Sequence, residues 1–68
     1  MTGSVLVNGR EHQLASGETV GALLERLGVG GRYALVERNG EPVERRDYDR
    51  VELTGGDRLV VARPVAGG

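Results

Sequence analysis

The sequence predicts an α+β fold, with one main helix packed across a mixed sheet of four or five strands. Three observations carry that reading. Asn8-Gly9 and Asn39-Gly40 each stand between short extended runs, and an Asn-Gly pair suits the positive φ angles that a type I′ hairpin turn requires. Val20, Leu23, Leu24 and Leu27 recur at i, i+3, i+4 and i+7, the spacing of one apolar stripe along a helix. A last apolar run, Leu59-Val60-Val61-Ala62, supplies a final strand. Sixty-eight residues make one domain at most. A domain of that size buries only about 60% of the surface its unfolded chain exposes, so two layers around one small core are what the length allows.

The elements follow in order. Ser4 to Val7 and Arg10 to Leu14 form the first hairpin, with His12 and Leu14 on one face of the return strand. Thr19 is a credible N-cap for a helix over Thr19–Leu27, its hydroxyl accepting from a free amide of the first turn. Gly28 stands where a helix ends with positive φ, and Gly21 weakens the helix by up to about 1 kcal/mol relative to alanine. Tyr33 to Arg38 is the third strand. Glu41-Pro42-Val43 is a short edge segment, since proline cannot donate to a ladder. Glu44 to Arg50 is polar and irregular, with one helical turn around Asp47-Tyr48. Val51-Glu52-Leu53 is a short strand or a lead-in, Gly55-Gly56-Asp57 a tight turn, and Arg58 to Arg63 the last strand. Residues 1–63 are expected to form the domain and residues 64–68 a flexible tail.

The composition excludes several classes of function. Nine arginines against ten acids give a formal charge of −1, where an electrostatic nucleic-acid binder shows a basic excess. Without cysteine there is no disulfide scaffold, thiolate metal site or cysteine nucleophile. His12 is the only histidine, and it is read as structural. No apolar run approaches the length of a membrane span or a signal sequence, so a cytoplasmic location is expected. Gly28-Val29-Gly30-Gly31 is not followed by the lysine of a phosphate-binding loop. Asp47, Asp49, Glu52 and Asp57 are read as solvated charge, and Arg45-Arg46 with Arg50 as a small patch that suits salt bridges to a partner. No residue is assigned a catalytic or metal-binding role.

Two features remain. Period 2 puts Val5, Val7, Leu59 and Val61 under the helix and Leu6 and Val60 on the opposite face. With one helix to cover the sheet, that second face shows aliphatic side chains to solvent, as a docking surface does; scattered surface valines are the other reading. The chain also runs from its last strand into Pro64-Val65-Ala66-Gly67-Gly68. Two terminal glycines without side chains suit a tail that threads a narrow channel and delivers an α-carboxylate into another protein's active site.

Together these features resemble the ThiS-type sulfur carriers of the ThiS/MoaD family, ubiquitin-like β-grasp proteins of thiamine biosynthesis. The likeness is carried by Val7-Asn8-Gly9, Ser16-Gly17-Glu18-Thr19-Val20 with Leu23-Leu24, Arg38-Asn39-Gly40-Glu41-Pro42-Val43, Gly56-Asp57-Arg58-Leu59, and Val65-Ala66-Gly67-Gly68. Family members often have a tryptophan near the position of Tyr48, where this chain is more charged. The resemblance implies a carrier and not an enzyme. A ThiF-like adenylyltransferase, using ATP and Mg2+ that this chain does not itself bind, activates the carboxylate of Gly68, which Gly67 helps to deliver. A persulfide donor then converts it to a thiocarboxylate that supplies thiazole synthase (the ThiG-like partner). Leu6, Val60 and Ala62, with Arg58 and Arg63 at the margin and Val65 and Ala66 along the tail, form the expected docking residues.

The nearest alternative is the small subunit of molybdopterin synthase, usually longer and richer in aromatics; a sulfur carrier for another pathway is also open. A ubiquitin-like protein modifier is a different class, although a chain without lysine forms no lysine-linked polymers of itself. An S4-type RNA-binding domain matches only the second half, because that fold opens with helices. Net charge and the lack of an aromatic platform also tell against it.

Overall fold

The computed structural model describes residues 3–29 and 34–63. Within them the chain forms β1 (Ser4–Val7), β2 (Arg10–Gln13), α1 (Val20–Arg26), β3 (Leu35–Arg38), β4 (Glu41–Val43), a 3-10 turn (Arg45–Asp47) and β5 (Arg58–Ala62). Tyr33, expected to begin the third strand, and the tail 64–68 lie outside the described residues.

Both Asn-Gly pairs turn as their backbone preferences dictate. Asn8 and Gly9 have φ of 51° and 83°, and Asn39 and Gly40 have 52° and 86°. The first turn sets β1 against β2 with Val5 opposite His12, and the second sets β3 against β4 with Val36 opposite Val43. β5 then enters between the hairpins, parallel to β1 and antiparallel to β3, giving the strand order β2-β1-β5-β3-β4. The sheet thus has five strands. Pro42 sits on the outer strand β4, where a missing N–H costs no interior rung.

Thr19 caps α1: its Oγ1 accepts from the Ala22 N–H at 3.1 Å. The two preceding donors go to a different element. Val20 N–H reaches Val51 O at 3.0 Å and Gly21 N–H reaches Tyr48 O at 2.8 Å, so the segment after the 3-10 turn closes the helix N-terminus. This accounts for Gly21. A Cβ there would collide with the Asp49 carboxylate and lie 3.4 Å from Tyr48 O; glycine permits the approach that its low helix propensity otherwise argues against. Leu27 is the C-cap and Gly28 follows with φ of 72°.

The core lies between α1 and the sheet. Val20, Leu23 and Leu24 from the helix meet Val5, Val7, Val36 and Leu59 from the strands, with Leu14, Ala34, Tyr48 and Leu53 closing the edges. Val61 is half-buried against this cluster, so all four residues assigned to the inner face occupy it. The Val51–Leu53 segment makes no ladder. Its one strand-like contact is an isolated bridge from Glu52 to Thr19.

Asp57 departs from its reading as solvated charge. It is 6% exposed. Its Oδ2 accepts from Arg38 Nε at 2.9 Å and from the Thr54 N–H at 2.8 Å, and its Oδ1 accepts from Asn39 Nδ2 at 3.0 Å. The carboxylate draws in three donors from two segments, which satisfies the charge that burial strips of water. Asp49 and Glu52 are exposed as expected, and Asp47 is half-buried.

Candidate functional site

The face of the sheet away from α1 has no second layer among the described residues. Cross-strand register determines what it shows. Leu6 pairs with Arg58 across the β1–β5 ladder, while Glu37 pairs with Val60 and Leu35 with Ala62 across β3–β5. Among the described residues, Leu6, Leu35 and Val60 are the large exposed hydrophobic residues, at 37%, 55% and 52%. Arg58 and Ala62 are also exposed. Leu35, Val60 and Ala62, with Glu37 and Pro42, line a shallow depression on this face.

Four of the expected docking residues, Leu6, Arg58, Val60 and Ala62, therefore share one open face. Arg63 is exposed directly after β5. Val65, Ala66, Gly67 and Gly68 lie outside the described residues. Leu6, on β1, stands beside Arg58, while Val60 and Ala62 gather with Leu35 at the end of β5 from which the sequence continues to its terminal glycines. Leu35 was missed by the sequence reading. Strand alternation along Ala34-Leu35-Val36 separates its face from that of Val36, but only the pairing of Val36 with Val61 says which face is open.

The same strand is held at both ends by the turn asparagines. At its start, the Asn39 N–H donates to Arg58 O at 2.7 Å and Asn39 Oδ1 accepts from the Arg58 N–H at 2.9 Å. At its far end, Asn8 Nδ2 donates to Val61 O at 3.0 Å and Asn8 Oδ1 accepts from the Val61 N–H at 2.9 Å. Away from this face, a second buried carboxylate ties down the loop before the helix. Glu18 accepts from Arg26 Nε at 2.8 Å and from the Ala15 N–H at 3.0 Å, while Arg26 also donates to Gln13 O at 2.7 Å. The hydrogen bonds from Arg26 hold the Glu18 carboxyl below its ordinary range and outweigh burial, which acts the other way. For Asp57, burial pushes the carboxyl up, but the Thr54, Asn39 and Arg38 donors together bring it below its ordinary value.

The depressions lined by described residues are open to solvent. Among the described residues no three metal-ligating side chains gather, and no helix is long and apolar enough to cross a membrane. One main helix on a five-stranded sheet in which β1 runs parallel to the central β5, opening with a hairpin, defines a ubiquitin-like β-grasp domain. The helical opening of an S4-type domain is not this one.

Within that class the chain belongs to the ThiS family, whose sequence profile matches residues 5–68. It is similar over 96% of its length to the crystal structure of a thiamine biosynthesis protein (ThiS) from Geobacter metallireducens, covering 99% of that chain with 32% identity and a TM-score of 0.78. It is also 39% identical over 64 residues to a protein of Paramagnetospirillum magneticum named thiazole synthase. That match takes in 94% of this chain and 20% of the relative, so the chain spans one fifth of the relative's length. The ThiS family belongs to the ThiS/MoaD group of sulfur carriers, consistent with thiamine biosynthesis.

Proposed function

We propose that the α-carboxylate of Gly68 is the group on which sulfur is carried. A carboxylate oxygen attacks the α-phosphorus of ATP in an E1-like, ThiF-like adenylyltransferase and expels pyrophosphate. The acyl adenylate that results has a good leaving group where the carboxylate had none. The terminal sulfur of a cysteine persulfide attacks the carbonyl and expels AMP. A second thiol then breaks the S–S bond, supplying two electrons as it forms a disulfide, and leaves a thiocarboxylate on Gly68. Thiazole synthase is the recipient.

The observation that carries this reading is the family match, which runs through the core and on to Gly67-Gly68. The geometry supports it: a partner seated on Leu35, Val60 and Ala62 lies beside the end of β5, from which the sequence continues to Gly68. The relative named thiazole synthase supports the choice of recipient, because a segment like this chain is there part of the same polypeptide. ATP and Mg2+ belong to the adenylating partner, and the reaction belongs in the cytoplasm, where ATP and persulfide are supplied.

The test is carrier-dependent exchange of labelled pyrophosphate into ATP by the adenylating enzyme. The parent supports exchange. Deleting Gly68 abolishes it and leaves the circular dichroism unchanged, because every buried core residue described lies at or before Leu59. Gly67→Val reduces it by crowding the approach. Full exchange with the deletion variant contradicts the assignment to Gly68.

A further inference from the structure

We propose that Asn8 is a positioning residue, whose side-chain amide replaces the missing rungs of the β1–β5 ladder and so fixes the direction in which the chain leaves β5 for its terminal glycines. This rests on the carrier reading above. The parallel ladder advances two residues at a time: Leu6 N–H donates to Asp57 O at 3.0 Å and Asn8 N–H to Leu59 O at 2.9 Å. In an uninterrupted parallel pair the next two bonds would run from the Val61 N–H to the Asn8 carbonyl and from the residue 10 N–H to Val61 O. Neither forms along the backbone, because the chain turns away at Asn8, with φ of 51°, into the β1–β2 hairpin. The Asn8 amide makes both bonds instead, Oδ1 accepting from the Val61 N–H and Nδ2 donating to Val61 O.

The consequence is local to one end of one strand. On its β3 side, β5 is paired through Ala62 opposite Leu35. On its β1 side, backbone pairing stops at Leu59, and Asn8 alone carries the support to Val61. Removing the amide leaves the last turn of the strand held from one side, free to pivot about β3. The docking residues Leu35, Val60 and Ala62 stay on the same face, but the end of β5 at Val61 and Ala62 is no longer held from both sides. Misplacing a reacting group by about 1 Å can lower a rate about a hundredfold. The effect therefore falls on turnover within the docked complex and not on docking.

Asn8→Gly is the informative variant, because glycine accepts the left-handed φ of the turn and only the amide is lost. Asn8→Asp keeps an acceptor for the Val61 N–H but cannot donate. Asn39→Gly serves as the control: it removes the side-chain acceptor at the opposite end of β5. Amide exchange by NMR is expected to show the Val61 N–H of Asn8→Gly opening about three- to tenfold faster, with Leu59 unchanged. In adenylation with the parent's activating enzyme and ATP, kcat for Asn8→Gly falls about ten- to hundredfold while KM stays within about twofold. Asn8→Asp recovers part of the loss, and Asn39→Gly melts earlier without losing kcat. An unchanged kcat for Asn8→Gly, or an equal loss in Asn39→Gly, overturns the positioning role. If the parent itself is never adenylated, the carrier reading fails first; unchanged exchange at Val61 in Asn8→Gly then overturns the anchoring as well.

Discussion

A carboxylate removed from water is stable only where donors replace its hydration, and two residues of this chain meet that condition. Asp57 gathers a guanidinium, a side-chain amide and a backbone N–H; Glu18 gathers Arg26 and the Ala15 N–H. Both carboxyls sit below their ordinary range when folded. A depressed folded value means that the unfolded chain takes up protons first as pH falls. Their contribution to stability is therefore complete above about pH 4–5 and is lost as pH drops through the folded values. Thermal midpoints should be flat from neutral pH to about 5 and fall steeply below about 4, and Asp57→Asn should make that acid limb shallower. At neutral pH, Asp57→Ala leaves the Thr54 N–H and Arg38 without their acceptor and should cost about 1–3 kcal/mol in urea titration. None of this was readable from Gly55-Gly56-Asp57, where an acid after two glycines looks like an ordinary turn residue. The partners Arg38 and Asn39 come from a distant hairpin, and only the β3–β5 register brings them near.

Individual elements were the most legible part of the chain, because their signals are local. The cap at Thr19, the stripe from Val20 to Leu27 and both Asn-Gly turns depend on neighbours within a few residues, and each forms close to its expected bounds. After β4 the expected helical turn forms, as the 3-10 turn Arg45–Asp47 with Tyr48 at its end, but the burial of Tyr48 was not readable in the same way. Tyr48 stands in a run of charges, yet it is buried, with its hydroxyl donating to Ala34 O at 2.7 Å. It is held there because the 3-10 turn folds the chain back against the start of α1, a tertiary event without a periodic signature. The helix is a single short amphipathic element, so its stability is owed to the face it buries. Leu24→Ala should cost about 2–5 kcal/mol, against a total of roughly 3–10 kcal/mol for a domain of this size. A thermal midpoint equal to the parent's would show that Leu24 does not pack as described.

At the scale of the whole molecule, the division of labour follows from one helix and two sheet faces. The covered face holds the fold; the open face, with its apolar residues gathered beside the end of β5, is the surface proposed for a partner. Two such faces were foreseeable from the apolar runs and the single helix. Where the open patch is centred was not, since Leu35 joins it only through strand register. Val60→Asp tests the docking role. At an exposed position it should leave circular dichroism unchanged, and in calorimetry with the adenylating enzyme it should weaken binding by several kcal/mol as an unpaired charge is desolvated. Unchanged affinity would move the interface to another surface. The most direct measurement of all concerns the carrier chemistry itself: intact mass and terminal-peptide fragmentation after incubation with the adenylating enzyme, ATP, Mg2+ and a persulfide donor. A carrier gains the mass by which one sulfur exceeds one oxygen, and fragmentation places it on Gly68. A parent protein that gains no mass with the activating enzyme of its own cell, or that gains it away from Gly68, contradicts the account.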